Sequence, residues 1–359
     1  MIEGGLLLGE TRADIASVRR FDASGCWVMP GIVDIHGDAH ERALQPRPGV
    51  GFGVDFAWRD TAAQLLAAGI TTAYLGVTLS WEPGLRSLAM FRAWLDAPRP
   101  ALPDMRIHLR FEADNLDALP DALAGIADGR VHLLGFNDHT PGIAGKLNDP
   151  AQLAKYAGRG GVSEAEFRRM IDAALAHRPH MLAARARLAR AANAVGIPML
   201  SHDDATLEDR AGFRAIGASI CEFPMHETIA ADARAAGEAV VMGAPNVVRG
   251  GSHLGWASAA PLAERGLVTI LASDYHWPAL FEAPFVMMRR GVLGPAAAWA
   301  LVSANPAAAL GLADRGHLGV GSRGDALVIE GAPDAPRLLA VFCAGELAWV
   351  APGVERRLG

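Results

Sequence analysis

The chain has 359 residues, 51% of them hydrophobic and 20% charged, with a net charge of −6. That length allows a large buried core in one big domain or two smaller ones, and the acidic balance argues against nucleic acid or an anionic membrane as main partner. Cys26, Cys221 and Cys343 lie far apart without C-x-x-C spacing, which excludes a zinc knuckle and a disulfide scaffold as readings. No signal-peptide pattern and no apolar run long enough to span a bilayer is found, so a cytoplasmic protein is expected.

In chain order, residues 1–30 are rich in glycine and short β-like runs, such as "LLLGE" and "CWVMP". From residue 31 the pattern alternates between apolar runs and Ala/Leu/Arg-rich helical stretches. The runs are "GIVDI" (31–35), "TTAYLGV" (71–77), "MRIHLRFE" (105–112), "VHLLGF" (131–136), "IPMLSH" (197–202), "ASICEF" (218–223), "AVVMGA" (239–244) and "VTILAS" (268–273). Their nearly continuous apolar character suits parallel strands buried on both faces. Eight such strands with helices between them predict an α/β fold, a (β/α)8 TIM-type barrel over 31–317, with its active site at the C-terminal strand ends. The doubly wound alternative lacks a G-x-G-x-x-G after an early strand. Residues 318–359 return to short β-like runs ("DALVIE", "LLAVFCAGELAWV"). Neither end could bury a core alone, so 1–30 plus 318–359 are expected to form one small β domain.

The polar residues just past these strands are chemically selective. The first strand leads to His36 and Asp38, the third to Glu112, the fourth to Asn137, Asp138 and His139. The fifth leads to His202, Asp203 and Asp204, the sixth to His226, the seventh to Asn246, Arg249 and His253, and the eighth to Asp274. His, Asp and Glu are the ligand set of zinc, manganese and iron. His36, Asp38, Glu112, His202 and His226 are the expected ligands of one or two divalent ions, zinc foremost. A water acidified there would be the nucleophile, and Asp274 the general base. Simpler readings exist for some of these: Glu112 as a strand-end carboxylate pairing Arg110, Asp38 as a turn residue, Asp274 as a cap. His40 and Glu41 fit either support of the site or the start of a helix. "VVRGGSHLG" places Arg249 beside Gly250 and Gly251, the composition of an anion cradle or of a plain tight turn.

"MPGIVDIHGD", "HLRFE", "SHDD", "ASDYHWPA", "SANPAAALGL" and "GVGSRGDALVI" resemble the amidohydrolase superfamily of metal-dependent hydrolases. Within it, "GFNDHTPG", "HDDATLED", "APNVVRGGSHLG" and "SDYHWPAL" resemble the phosphonate metabolism protein M family of diphosphatases. Most of the superfamily carries H-x-H after the first strand, whereas this chain has His36-Gly-Asp38, the form of that narrower family; "GDAHE" departs from it. The resemblance implies cleavage of a phosphoanhydride in a ribosyl (methylphosphonate) triphosphate with release of pyrophosphate. The substrate would be a small phosphorylated anion, held by His139, Lys146, Arg249, Gly250, Gly251 and His253. The alternative within the superfamily is a C–N hydrolase, acting on amides or cyclic amides or as a deaminase. The sequence does not specify an oligomeric state; a homo-oligomer is suggested only by analogy with similar barrels.

Overall fold

The structure is a computed structural model and describes residues 2–3, 5–7, 20–47, 49–251 and 257–359. A short ribbon of β1 (Ile2–Glu3) and β2 (Leu6–Leu7) precedes β3 (Trp27–Pro30). Eight strands then follow: β4 (Ile32–Gly37), β5 (Ile70–Leu79), β6 (Asp104–Glu112), β7 (Leu133–Asn137), β8 (Met199–His202), β9 (Ile220–Glu222), β10 (Ala239–Gly243) and β11 (Ile270–Ala272). They form one sheet in chain order, every neighbour parallel. Gly37 at the end of the first strand and Asp274 just past the last form a parallel bridge. The Asp38 amide donates to the Asp274 carbonyl and the Asp274 amide to that of His36, both at 2.9 Å. The result is a nearly closed barrel, as expected from eight buried apolar runs alternating with helices.

Side-chain alternation along these strands sets what faces the barrel axis. Ile107, Leu109 and Phe111 of β6 point outward into the main core with Phe91, Trp58 and Trp94. Tyr74, Leu133, Leu200, Ile220, Val241 and Ile270, with Val33 and Ile35, fill the interior. The next inward positions toward the C-terminal ends are polar: His108, Arg110 and Glu112 on β6, Asn137 on β7, His202 on β8 and Glu222 on β9. The apolar floor therefore gives way to a polar mouth within two residues.

β12 (Ala326–Glu330), β13 (Arg337–Cys343) and β14 (Glu346–Val350) pair antiparallel with β3 in the order β14-β13-β12-β3. Val28 faces Val328 and Met29 faces Leu327, so the two chain ends build one sheet beside the barrel. Among the described residues, no helix is long and apolar enough to cross a membrane.

Candidate active site

The first barrel strand does not run straight into its site. Pairing steps from Asp34–Ala73 to Gly37–Leu75, so three residue steps on β4 face two on β5, a bulge. A bulge re-aims side chains. Here Val33 and Ile35 lie in the interior, and His36, the very next residue, also lies there. Its ring is edge-on to His108 (centroids 5.3 Å) and 5.8 Å from that of His202. Beneath it, Asp34 is fully buried and accepts from the Ser273 hydroxyl at 2.5 Å and from the Ser273 amide at 3.0 Å. Burial pushes the Asp34 carboxyl up to about 6, against those hydrogen bonds.

Glu222 is 0% exposed at the end of β9, with Oε1 2.8 Å from Nδ1 of His36 and Oε2 3.8 Å from Nε2 of His202. The 2.8 Å pair is not aligned as a hydrogen bond, and neither atom has another partner. Desolvation raises the Glu222 carboxyl to about 7 and holds His36 well below the usual imidazole range, so a neutral ring faces the acid. Orphaned, buried imidazole and carboxylate atoms in one place are the donor set of a divalent ion, and these residues fit one. Two groups of ligand atoms within 4.8 Å of one another contain His36: His36, His202 and Glu222, and His36, Asp38 and Asp274.

Arg110 crosses the same space and is buried. Its guanidinium donates to Nε2 of His202 at 3.0 Å and lies 3.8 Å from Asp38. A Cβ on Gly76 of β5 would come within 3.0 Å of its Cδ, so the bare glycine makes room for the arginine. Asp38 and Asp274 both rise to about 6, chiefly by burial and partly offset by Arg110. Three non-glycine residues one or two positions after barrel strands adopt left-handed backbone, Asp203 (φ 57), Phe223 (φ 51) and Asp274 (φ 56). Such strained residues cluster where the surrounding structure must hold a site in place.

No protein-family model matches the chain. Over 338 residues, 88% of this chain and 88% of the other, it is 34% identical to α-D-ribose 1-methylphosphonate 5-triphosphate diphosphatase of Escherichia coli (strain K12). It belongs to that diphosphatase's family. Among solved structures, an amidohydrolase from an environmental sample of the Sargasso Sea superposes with TM-score 0.60 at 15% identity, covering 97% of this chain and 86% of that one. N-acetylglucosamine-6-phosphate deacetylase from Thermotoga maritima gives TM-score 0.58 at 14% identity, covering 98% and 94%. The barrel thus has the fold of these hydrolases.

Within this family member, the expected ligands separate. His36, Asp38 and His202 surround one space, with Asp274 beside them. Glu112 instead takes the His139 amide on Oε1 at 2.5 Å and stands 3.0 Å from the His139 ring on Oε2, and it groups with Asp114 and Asp138. Burial would raise the Glu112 carboxyl, yet the hydrogen bonds and charge of His139 hold it below its ordinary value. Glu112 therefore bonds His139 rather than Arg110. His226 is exposed at the start of the helix Glu227–Ala235, and no ligand group among the described residues includes it.

The expected substrate contacts spread around the mouth. His139 is half-buried, 5.5 Å from the His202 ring. Arg249 is exposed at the end of the helix Ala244–Arg249 and donates to the Tyr275 hydroxyl at 3.3 Å, one residue from Asp274. Gly250 (φ 91) ends that helix and its amide donates to the Asn246 carbonyl, so that amide is engaged; Gly251 follows it. Lys146 is exposed, and His253 lies outside the described residues. His40 is buried edge-on against Trp94, and Glu41 pairs with Arg86 at 3.1 Å, so both brace the first helix. Sequence reasoning missed Glu222 and Arg110. Period two was the available signal, since Glu222 shares an inward face with Ile220, and Arg110 with Glu112.

Proposed function

We propose that the chain hydrolyses a phosphoanhydride bond of a ribosyl triphosphate bearing a phosphonate, releasing pyrophosphate. The observation that carries this reading is the 34% identity over 88% of both chains to a diphosphatase with that substrate in its name. A divalent ion, with zinc first and manganese or iron as alternatives, would supply Lewis-acid polarisation of the phosphoryl oxygens and a more acidic water. His36, Asp38 and His202 would hold it. Glu112, already bound to His139 and Thr140, would serve to fix His139 at the mouth.

Release of pyrophosphate means cleavage between the first and second phosphates. Asp274, half-buried and titrating near 6, is ionised at neutral pH and still basic enough to take a proton from the attacking water. The same proton would then pass to the departing pyrophosphate oxygen. Arg110 adds a fixed, buried positive charge beside this space, the kind of preorganised electrostatics phosphoryl transfer requires. Arg249, Gly251 and Lys146 would meet the outer phosphates, with Tyr275 orienting Arg249, and His253 would join them as its sequence context suggests.

Metal-loaded protein incubated with the ribosyl methylphosphonate triphosphate should yield pyrophosphate and the 5-phosphate, seen by phosphorus NMR. Neutral amides and cyclic amides should be turned over at least ~100-fold more slowly. A neutral amide emerging as best substrate would overturn the diphosphatase reading.

A further inference from the structure

We propose that Glu222 is a protein ligand to the metal, completing with His36 and His202 the floor of the site, in the role the sequence suggested for His226. The inference rests on the metal-hydrolase reading and goes beyond it by naming a ligand.

Three observations carry it. First, Glu222 points inward by the alternation of β9, two residues after the interior Ile220, and is 0% exposed. Second, neither of its oxygens has a hydrogen-bond partner. Its ion-pair contacts among the described residues are His36 at 2.8 Å and His202 at 3.8 Å. An ionised carboxylate in that position is heavily penalised unless a cation compensates it. A neutral acid fares little better, because its O–H finds no aligned acceptor. Third, the two atoms at 2.8 Å face each other without hydrogen-bond alignment, and ligand atoms of all three residues lie within 4.8 Å of one another. Buried donor atoms this close together and unpaired with each other are what a shared ion would engage, with the Arg110 guanidinium now standing on Nε2 of His202 at 3.0 Å. His226 offers none of this, being exposed four residues further along.

The test compares wild type, Glu222→Gln and His226→Gln, purified without chelators and titrated with Co²⁺. Outer partners of ligands typically change affinity 10- to 100-fold, so loss of a true ligand should exceed ~100-fold. Glu222→Gln should therefore lose Co²⁺ affinity by more than ~100-fold and shift the visible Co²⁺ bands. His226→Gln should match wild type in both. Metal-free Glu222→Gln should melt no lower than metal-free wild type, because an amide of the same shape removes an uncompensated charge. If Glu222→Gln does not fold, Glu222→Asp decides: kept stoichiometry with shifted bands supports the assignment, and unchanged bands overturn it. Unchanged bands in Glu222→Gln, even with weakened affinity, would make Glu222 a positioning residue and overturn the proposal. So would loss of metal in His226→Gln alone. A wild type that binds no Co²⁺ would remove the metal site and the proposal with it. A wild type that binds it beside an unaffected Glu222→Gln removes only the assignment.

Discussion

Two side chains divide the proposed chemistry between proton transfer and charge recognition, and each can be removed separately. Asp274 is set by its backbone: the left-handed φ of 56 and the hydrogen bond its amide donates to the His36 carbonyl place its carboxylate beside Asp38 and His36. Asp274→Asn keeps that shape and removes the base, so turnover should fall by on the order of 10²–10⁴ with metal content kept. A near-normal rate would take Asp274 out of the mechanism. Arg249 is exposed and tied only to the Tyr275 hydroxyl among the contacts described, so its removal should cost the fold little. Hydrogen bonds to charged groups are worth roughly 1.5–3 kcal/mol, so Arg249→Ala should lower kcat/KM about 10- to 150-fold for the triphosphate. Hydrolysis of an uncharged ester should change far less; equal loss on both would make the arginine structural.

Strands place these residues with little freedom, because the barrel interior has room for each polar side chain only where a neighbour gives it up. A Cβ on Gly135 of β7 would stand 2.6 Å from Nε2 of His108, which is fully buried against His36. Gly135→Ala should therefore lower stability by about 1–3 kcal/mol and weaken metal binding, by driving His108 toward His36. Thermal melting and a Co²⁺ titration would check both, and a variant as stable as wild type would show that His108 has space to move. The eight strands themselves were legible in the sequence because most read as nearly continuous apolar runs, as parallel strands covered on both faces must. Legible too were His36, Asp38, His202 and Asp274 as neighbours, since all stand where barrel strands end. What lay outside one-dimensional reading was relational. The β4 bulge is a mismatch between two strands, and Arg110 meets Asp38 and His202 only across the barrel. Glu222 occupies the last inward position of its strand, whereas His226, the residue the strand-end pattern singled out, lies four residues beyond it.

At the scale of the whole molecule, the acids gathered in one barrel mouth make stability depend on both pH and metal. Asp34, Asp38 and Asp274 are raised to about 6 and Glu222 to about 7, each first of all by burial. In the unfolded chain such groups lose their protons near pH 4. Between pH 4 and 7 these four carboxyls thus hold more protons in the metal-free folded state than in the unfolded one, and their contribution to stability falls as pH rises through that window. The buried His36, His40 and His108 and the half-buried His132, whose values are lowered, act in the opposite sense at its acid end. A divalent ion acts in the opposite sense. It binds the ionised carboxylates and neutral imidazoles, displacing the same protons, so its affinity grows with pH. The gap in Tm between metal-loaded and chelator-treated protein should therefore widen from pH 5 to pH 8. At 100-fold excess over Kd the ion adds about 2.7 kcal/mol, which corresponds to roughly 3–4 °C at pH 8 for a chain of this size. Paired melting scans across that range measure the gap directly. A gap that stayed flat or narrowed toward pH 8 would mean that these acids are not neutralised by the ion, and that the barrel mouth tolerates them by some other route.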